Sequence, residues 1–303
     1  MLRLSVILFF LFSFSFSYSP KDYQKKLGVG INVNWALFKK IEKRFCLSDI
    51  DSFKKRGFNS VRIRFDDNVD LKRLDKIINR CLKDGLIPVL SYSGRNFRLN
   101  PQKYENQAVH IWEIIAKRYK NEPYELSYDL LIEPNKKIKK HNNILNGFYK
   151  KAVKNIRRID KKRILFLAPN HISNPYWLNR LYIPKNDGYI MIEWHFYAAG
   201  PKRALDDAMK RDILNKIKYA KNWCESHGLY SWVGAWMPGN YNHGNTVEIK
   251  EQIKFAEFLS CALRKNSIPY AVNAGAKFYD YKTHMWIKKY QKVLNAFLFP
   301  ECK

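Results

Sequence analysis

The chain has 303 residues, a net charge of +28, and 46% hydrophobic and 15% aromatic content. That apolar fraction is ample for a large core, and the length admits one large domain or two small ones. No zinc-finger, RNP or other nucleic-acid motif accompanies the charge, so nucleic acid ranks last among polyanionic partners, behind an acidic glycan or an envelope surface. Most Lys residues fall on predicted helix faces, where a solvated surface accounts for them.

The first predicted element is a secretory signal over residues 1–17. Arg3 supplies the positive start and Leu4 to Phe12 the apolar run. Ser15 and Ser17 give the small-x-small cleavage pattern. The run is too short for a comfortable membrane span, and no later segment is apolar enough for one. The mature protein, residues 18–303, is therefore expected outside the cytoplasm, secreted or periplasmic, and not inserted in the membrane.

From residue 18 onward, short apolar runs alternate with amphipathic stretches. This pattern predicts βα units around a parallel sheet. The predicted strands are Val29–Asn34, Ser60–Phe65, Ile87–Tyr92, Leu126–Ile132, Ile164–Ala168, Tyr189–His195, Tyr230–Gly234 and Ile268–Val272. Helical patterns cover Ser48–Arg56, Leu71–Asp84, Gln107–Tyr119, Asn143–Asp160, Pro175–Leu181, Ala204–His227, Val247–Lys265 and Thr283–Phe297. Lys83-Asp84-Gly85 and His227-Gly228 end their helices as helix ends should. Eight strands with eight helices predict an α/β fold, a single (β/α)₈ TIM barrel, which typically needs about 250 residues. There is no internal repeat and no linker, so one domain is expected, as a monomer.

Five Cys follow the signal: Cys46, Cys81, Cys224, Cys261 and Cys302. None has zinc-site spacing, and no metal or cofactor is expected. Cys224 and Cys261 fall on predicted neighbouring helices, as do Cys46 and Cys81. Disulfides there and buried free thiols fit equally well.

In such a barrel the working residues sit at the carboxyl ends of the strands. Strand two carries Arg62 and Arg64 on one face, and a buried Arg needs a partner: a structural ion pair, or a catalytic carboxylate that it keeps ionised. Strand four ends at Glu133-Pro134, well placed for a carboxyl whose raised pKa suits proton donation to a glycosidic oxygen. Asn121-Glu122-Pro123 precedes the strand and reads as a turn at the opposite end. Strand six puts Glu193, His195 and Tyr197 on one face. Glu193, one layer deeper, reads either as a second catalytic carboxyl or as a buried partner of an Arg. Trp236 reads as a sugar-stacking platform and Asn240 as a loop group facing the ligand. Asn170, beyond strand five, is taken as a further substrate contact.

These strand-end features resemble glycoside hydrolase family 5, the cellulase family. Gly57-Phe58-Asn59-Ser60-Val61-Arg62-Ile63 is similar to its strand-two segment with the active-site Arg. Leu131-Ile132-Glu133-Pro134 is similar to its Asn-Glu-Pro motif, and His195-Phe196-Tyr197 to its His-x-Tyr. Val233-Gly234-Ala235-Trp236 is similar to its Gly-Glu-aromatic motif. The resemblance implies hydrolysis of O-glycosidic bonds in a poly- or oligosaccharide, with Glu133 as general acid/base. It also carries three departures, the first being that the family's strand-three His falls near Tyr92-Ser93. Ile132 stands where the family has Asn, and Ala235 stands where it has the nucleophile Glu. Glu193 is then the favoured second carboxylate, ahead of Asp280 and Asp66, and the alternative is an inactive carbohydrate-binding barrel. The expected partner is a carbohydrate, and an acidic glycan is the version that would give the charge a role.

Overall fold

In the computed structural model, residues 17–37, 39–197, 204–241 and 243–302 are described. The signal segment up to Phe16, and Asn242, lie outside them. Eight parallel strands close into a barrel in sequential order: β1 (Val29–Ala36), β2 (Ser60–Phe65), β3 (Ile87–Tyr92), β4 (Ser127–Asp129), β5 (Leu165–Leu167), β6 (Ile190–Phe196), β7 (Tyr230–Trp236) and β8 (Tyr270–Val272). This is the expected (β/α)₈ barrel.

Besides the short helices Lys39–Glu42, Arg95–Leu99 and Asn170–Ser173, one eight-residue helix was not legible from periodicity. Helix α1 (Pro20–Leu27) has only eight residues and a polar sequence. Ser19 caps it by accepting the Asp22 N–H, and Pro20 opens it. Tyr23 and Leu27, one helical turn apart, enter the bottom of the barrel. There they pack with Ile87, Val89, Ile164, Phe166, Met191 and Trp232. Burying each contributes about 2 kcal/mol, and the barrel is plugged at that end.

The outer layer comprises α2 (Asp49–Arg56), α3 (Leu71–Lys83), α4 (Pro101–Tyr119), α5 (Asn142–Ile159), α6 (Asp207–Ser226), α7 (Ile249–Lys265) and α8 (Gln291–Leu298). Between β5 and β6 the expected helix is a 3₁₀ segment, Pro175–Arg180. Its few residues and the Asn174 cap favour the tighter winding. The chain before α8 forms a short hairpin, with Met285 and Trp286 paired to Asp280 and Tyr279, in place of the first half of the expected last helix. Among the described residues no helix is long and apolar enough to cross a membrane.

Asn121-Glu122-Pro123 lies in the turn after α4, as expected. The carbonyls of Glu122 and Pro123 accept from the buried Arg163 guanidinium at 2.9 and 2.6 Å. The disulfide joins Cys261 of α7 to Cys302, and Cys81 and Cys224 are buried free thiols. Of the two readings left open, buried free thiols hold for Cys81 and Cys224, Cys46 is a free thiol at the surface, and Cys261 pairs with the tail rather than with a neighbouring helix.

Candidate active site

Strand alternation stacks the barrel interior in layers. Above the apolar floor, β2 contributes Arg62, β3 Ser91, β4 Asp129 and β6 Glu193, all fully buried. The Arg62 guanidinium bonds Asp129 through Nε at 2.9 Å and through Nη2, and donates to Glu193 Oε1 at 2.8 Å. Its Nη1 donates to the Gly234 carbonyl at 3.0 Å. Such a buried cation is tolerable only because its hydrogen-bonding fork is matched. Residue 234 must be Gly: a Cβ there would overlap the Glu193 carboxylate.

The next layer belongs to β6 and the loop after β4. His195 Nδ1 lies 3.0 Å from Glu133 Oε1, and its Nε2 contacts Glu193 Oε1. The Tyr197 hydroxyl donates to the same Glu133 oxygen. Burial opposes a charged imidazole, but the Glu193 charge and the two carboxylate hydrogen bonds outweigh it and raise the His195 pKa. The ring thus sits between two carboxylates, and its Nε2 also lies 2.9 Å from Arg62 Nη1, a contact in which the guanidinium is the donor.

Glu133 departs from expectation. Burial pushes its carboxyl up, but the His195 hydrogen bond and charge, the Tyr197 hydroxyl and the Arg62 charge together lower it to about 2. It is an anion at neutral pH, not a standing proton donor. Its backbone has φ 47°, the left-handed region, although a residue before proline prefers an extended conformation. Strain of this kind, about 1–3 kcal/mol, concentrates at functional sites.

Glu133 lines a cleft of about 970 Å³ at the carboxyl ends of β1 to β4. Asp66, at the exit of β2, lines it too. Burial raises the Asp66 pKa, although the Arg95 and Asp67 backbone N–H groups both donate to Oδ1. A register shift after Trp194 sets Ala235 beside His195, so a methyl group stands where the strand-seven motif would place a carboxylate. Among the described residues no three His, Cys, Asp or Glu side chains converge as a metal-binding set.

A sequence model of the cellulase family, glycosyl hydrolase family 5, matches residues 30–275, the whole barrel with these strand ends. The chain belongs to that family. Endoglucanase C of Acetivibrio thermocellus is 30% identical over 172 residues, 49% of each chain, and Endoglucanase H of the same organism is 24% identical over 80% of this chain and 29% of its own. The chain thus spans about half or less of the length of these relatives. Among solved structures, endoglucanase Cel5A of Thermotoga maritima superimposes with a TM-score of 0.81 over 92% of this chain and 100% of its own, at 20% identity. The Clostridial cellulose synthase subunit Z of Clostridioides difficile gives 0.77 over 90% and 99%, at 21%.

Against this family 5 frame, the residues singled out from sequence separate into three groups. Glu133 lines the cleft, and His195 and Tyr197 hold its carboxyl. Arg62 and Glu193 are fully buried one layer down. Glu193 therefore corrects to an ion-pair partner of Arg62 and His195 without access to a substrate, and Arg62 to a support rather than a substrate contact. Trp236, Asn240 and Asn170 belong elsewhere. Trp236 is fully buried outside the barrel, edge-on to Tyr270 and Phe297. Asn240 ties its own loop, accepting from the Thr246 N–H at 2.8 Å and donating to the His243 carbonyl at 3.0 Å. Asn170 donates to the Lys139 carbonyl and to Asn142. Asp280, similarly, accepts from its own turn at Lys282. Sequence reasoning missed Arg98. It gave Arg64 the roles it gave Arg62, a structural ion pair or a group that keeps a catalytic carboxylate ionised, and among the described residues Arg64 forms no ion pair; it lines the cleft instead.

Proposed function

We propose that this chain hydrolyses O-glycosidic bonds of a poly- or oligosaccharide lying in the cleft over Glu133. The observation that carries the reading is one cleft of a family 5 barrel lined by two carboxyls in different surroundings, Glu133 held by His195 and Tyr197 and pushed down, and Asp66 pushed up by burial. Opposed pKa shifts are how one site runs base and acid chemistry together. With Ala235 unable to form a glycosyl bond, the reaction is a single displacement. The oxygen of a water attacks the anomeric carbon as Glu133 takes that water's proton. The glycosidic C–O bond breaks, and Asp66 protonates the departing oxygen. This route inverts the anomeric centre and requires the carboxyls to stand about 6.5–9.5 Å apart. The names of the family 5 relatives support a β-linked glucan as the first substrate to try. The N-terminal signal pattern and the Cys261–Cys302 disulfide support action in an oxidising compartment outside the cytoplasm.

The test is reducing-end release from a polysaccharide panel, with the first-formed anomer read by NMR. Loss of about 100-fold or more in both Glu133→Gln and Asp66→Asn, with inversion in the wild type, is the expected result. Hydrolysis that survives Asp66→Asn removes that residue from the scheme. Ala235 favours a second reading, a barrel that binds glycan without cleaving it. Glycan binding without release of reducing ends by the wild type would decide for it.

A further inference from the structure

The cleft has an unusual lining for a neutral sugar. No aromatic ring is among its described lining residues, and six cationic side chains are: Lys39, Lys43, Arg64, Arg73, Arg95 and Arg98. Sugar sites commonly use ring faces for the apolar side of a pyranose, and none of these described lining residues offers one.

Five carboxylates also line the cleft, Glu42, Asp66, Asp67, Asp70 and Glu133, and neutral donors engage three of them. Asp70 caps α3 by accepting the Arg73 N–H. Asp67 accepts from Asn96 Nδ2 at 3.0 Å and from the Tyr92 hydroxyl. Asp66 accepts from two backbone N–H groups. Glu133 is held by His195 and Tyr197. Among the described residues, neither Arg64 nor Arg98 forms an ion pair.

These two guanidinium groups are the notable pair. Arg64 comes from the interior face of β2 and is half-buried, with Nε buried and without a hydrogen-bond partner. Burial and the Arg62 charge push its pKa down to about 10, and Arg98 adds to the effect. Arg98 donates only to the neutral oxygens of Asn135 and Ser93, each at 3.2 Å, and its Nε is also buried without a partner. The nearby Glu133 charge favours both cations. A half-buried guanidinium without a matched anion is costly unless a ligand supplies one. The planar Arg fork fits a carboxylate or sulfate bidentately.

We propose that the cleft selects an anionic sugar, a uronate or sulfated residue whose acid group is received between Arg64 and Arg98. This rests on the reading of the cleft as a glycan site. It gives the charge of the cleft a role separate from that of the Lys-rich surface.

The test uses oligosaccharides with one backbone and different charge: cellotetraose, the β-1,4-linked tetramer of glucuronate, and cellotetraose sulfated at C6. Binding is measured by calorimetry to the full chain at low and at moderate salt. The glucuronate or the sulfated tetramer should bind at least about tenfold more tightly than cellotetraose, and the advantage should shrink with salt. The tighter of the two identifies the acid group. Arg64→Gln and Arg98→Gln should each remove most of that advantage while leaving cellotetraose binding within about threefold. Thermal melts establish that each variant is folded, and either variant alone suffices. Equal binding of neutral and acidic tetramers, or equal weakening of both by the substitutions, overturns the inference and leaves the glycan reading standing. No binding of any of the three overturns both.

Discussion

The Glu193 carboxylate occupies the space that a side chain at Gly234 would need: a Cβ there would stand 2.7 Å from Glu193 Cδ. Strand six therefore places its acid against strand seven only because strand seven has glycine at that point. Gly234→Ala should push Glu193 away from Arg62 and His195 and leave a buried cation under-matched. The expected cost is about 3 kcal/mol, or roughly 6 °C in Tm for a domain of this size. A melting temperature within about 2 °C of wild type would show that the pair relaxes freely.

Two groups in the site give opposite pH dependences. The Glu133 pKa is depressed to about 2, so its stabilisation is present above the ordinary carboxyl value of 4.5 and is lost as pH falls through 2. Chemical denaturation of wild type and Glu133→Gln should differ by a constant amount near neutrality. That difference should shrink below about pH 4.5, by up to about 3 kcal/mol. His195 is raised, so its contribution is full below its ordinary value of 6.5 and is lost as pH rises through the folded value. Nitrogen chemical shifts of His195, followed through a pH titration, should give a midpoint above 6.5. A midpoint below 6.5 would mean that burial outweighs the Glu133 and Glu193 carboxylates.

The barrel was legible because each long strand repeats the same signal, an apolar run bounded by turn residues and followed by a helical pattern. Glu133, His195 and Tyr197 were legible because strand ends and period-two alternation fix direction without side-chain coordinates. The order of depth along β6 was legible, but not whether the deeper layer is closed to a ligand. Glu193 and His195 share one face of β6, and only the layer heights separate a buried ion pair from a residue that holds a cleft carboxyl. Trp236 was misjudged for a related reason. Strand seven shifts register against both neighbours between Val233 and Trp236, so simple alternation fails just where it was being applied. Helix α1 was invisible because two apolar residues in eight carry no periodicity.

The disulfide anchors the tail beyond α8. Cys261 and Cys302 are separated by 41 residues, for which loop-closure entropy gives about 4 kcal/mol of stabilisation. Cys302→Ser should therefore lower stability by about 2–4 kcal/mol. Alkylation of the folded, unreduced protein should label Cys46 quickly, since Cys81 and Cys224 are buried. Rapid labelling of more than one thiol under native conditions would contradict this arrangement.

Ala235 gives the most direct test of why Glu133 is so acidic. The methyl group lies beside His195, opposite it in the β6–β7 pairing. A carboxylate introduced by Ala235→Glu would add negative charge near Glu133 and compete for the His195 and Tyr197 donors. Both effects raise the Glu133 pKa towards the range in which it donates protons near neutrality. The introduced carboxylate would also supply an attacking oxygen on the substrate, converting a single displacement into a double one. Hydrolysis by Ala235→Glu should therefore rise at least about tenfold in kcat/KM. The first-formed anomer should switch from inverted to retained, and the limbs of the pH profile should move as Glu133 takes over the role of the acid. No gain with unchanged stereochemistry would mean that the cleft has diverged beyond a single residue. An unchanged Glu133 pKa in a folded Ala235→Glu protein would mean that His195 and Tyr197, rather than the missing carboxylate, set its acidity.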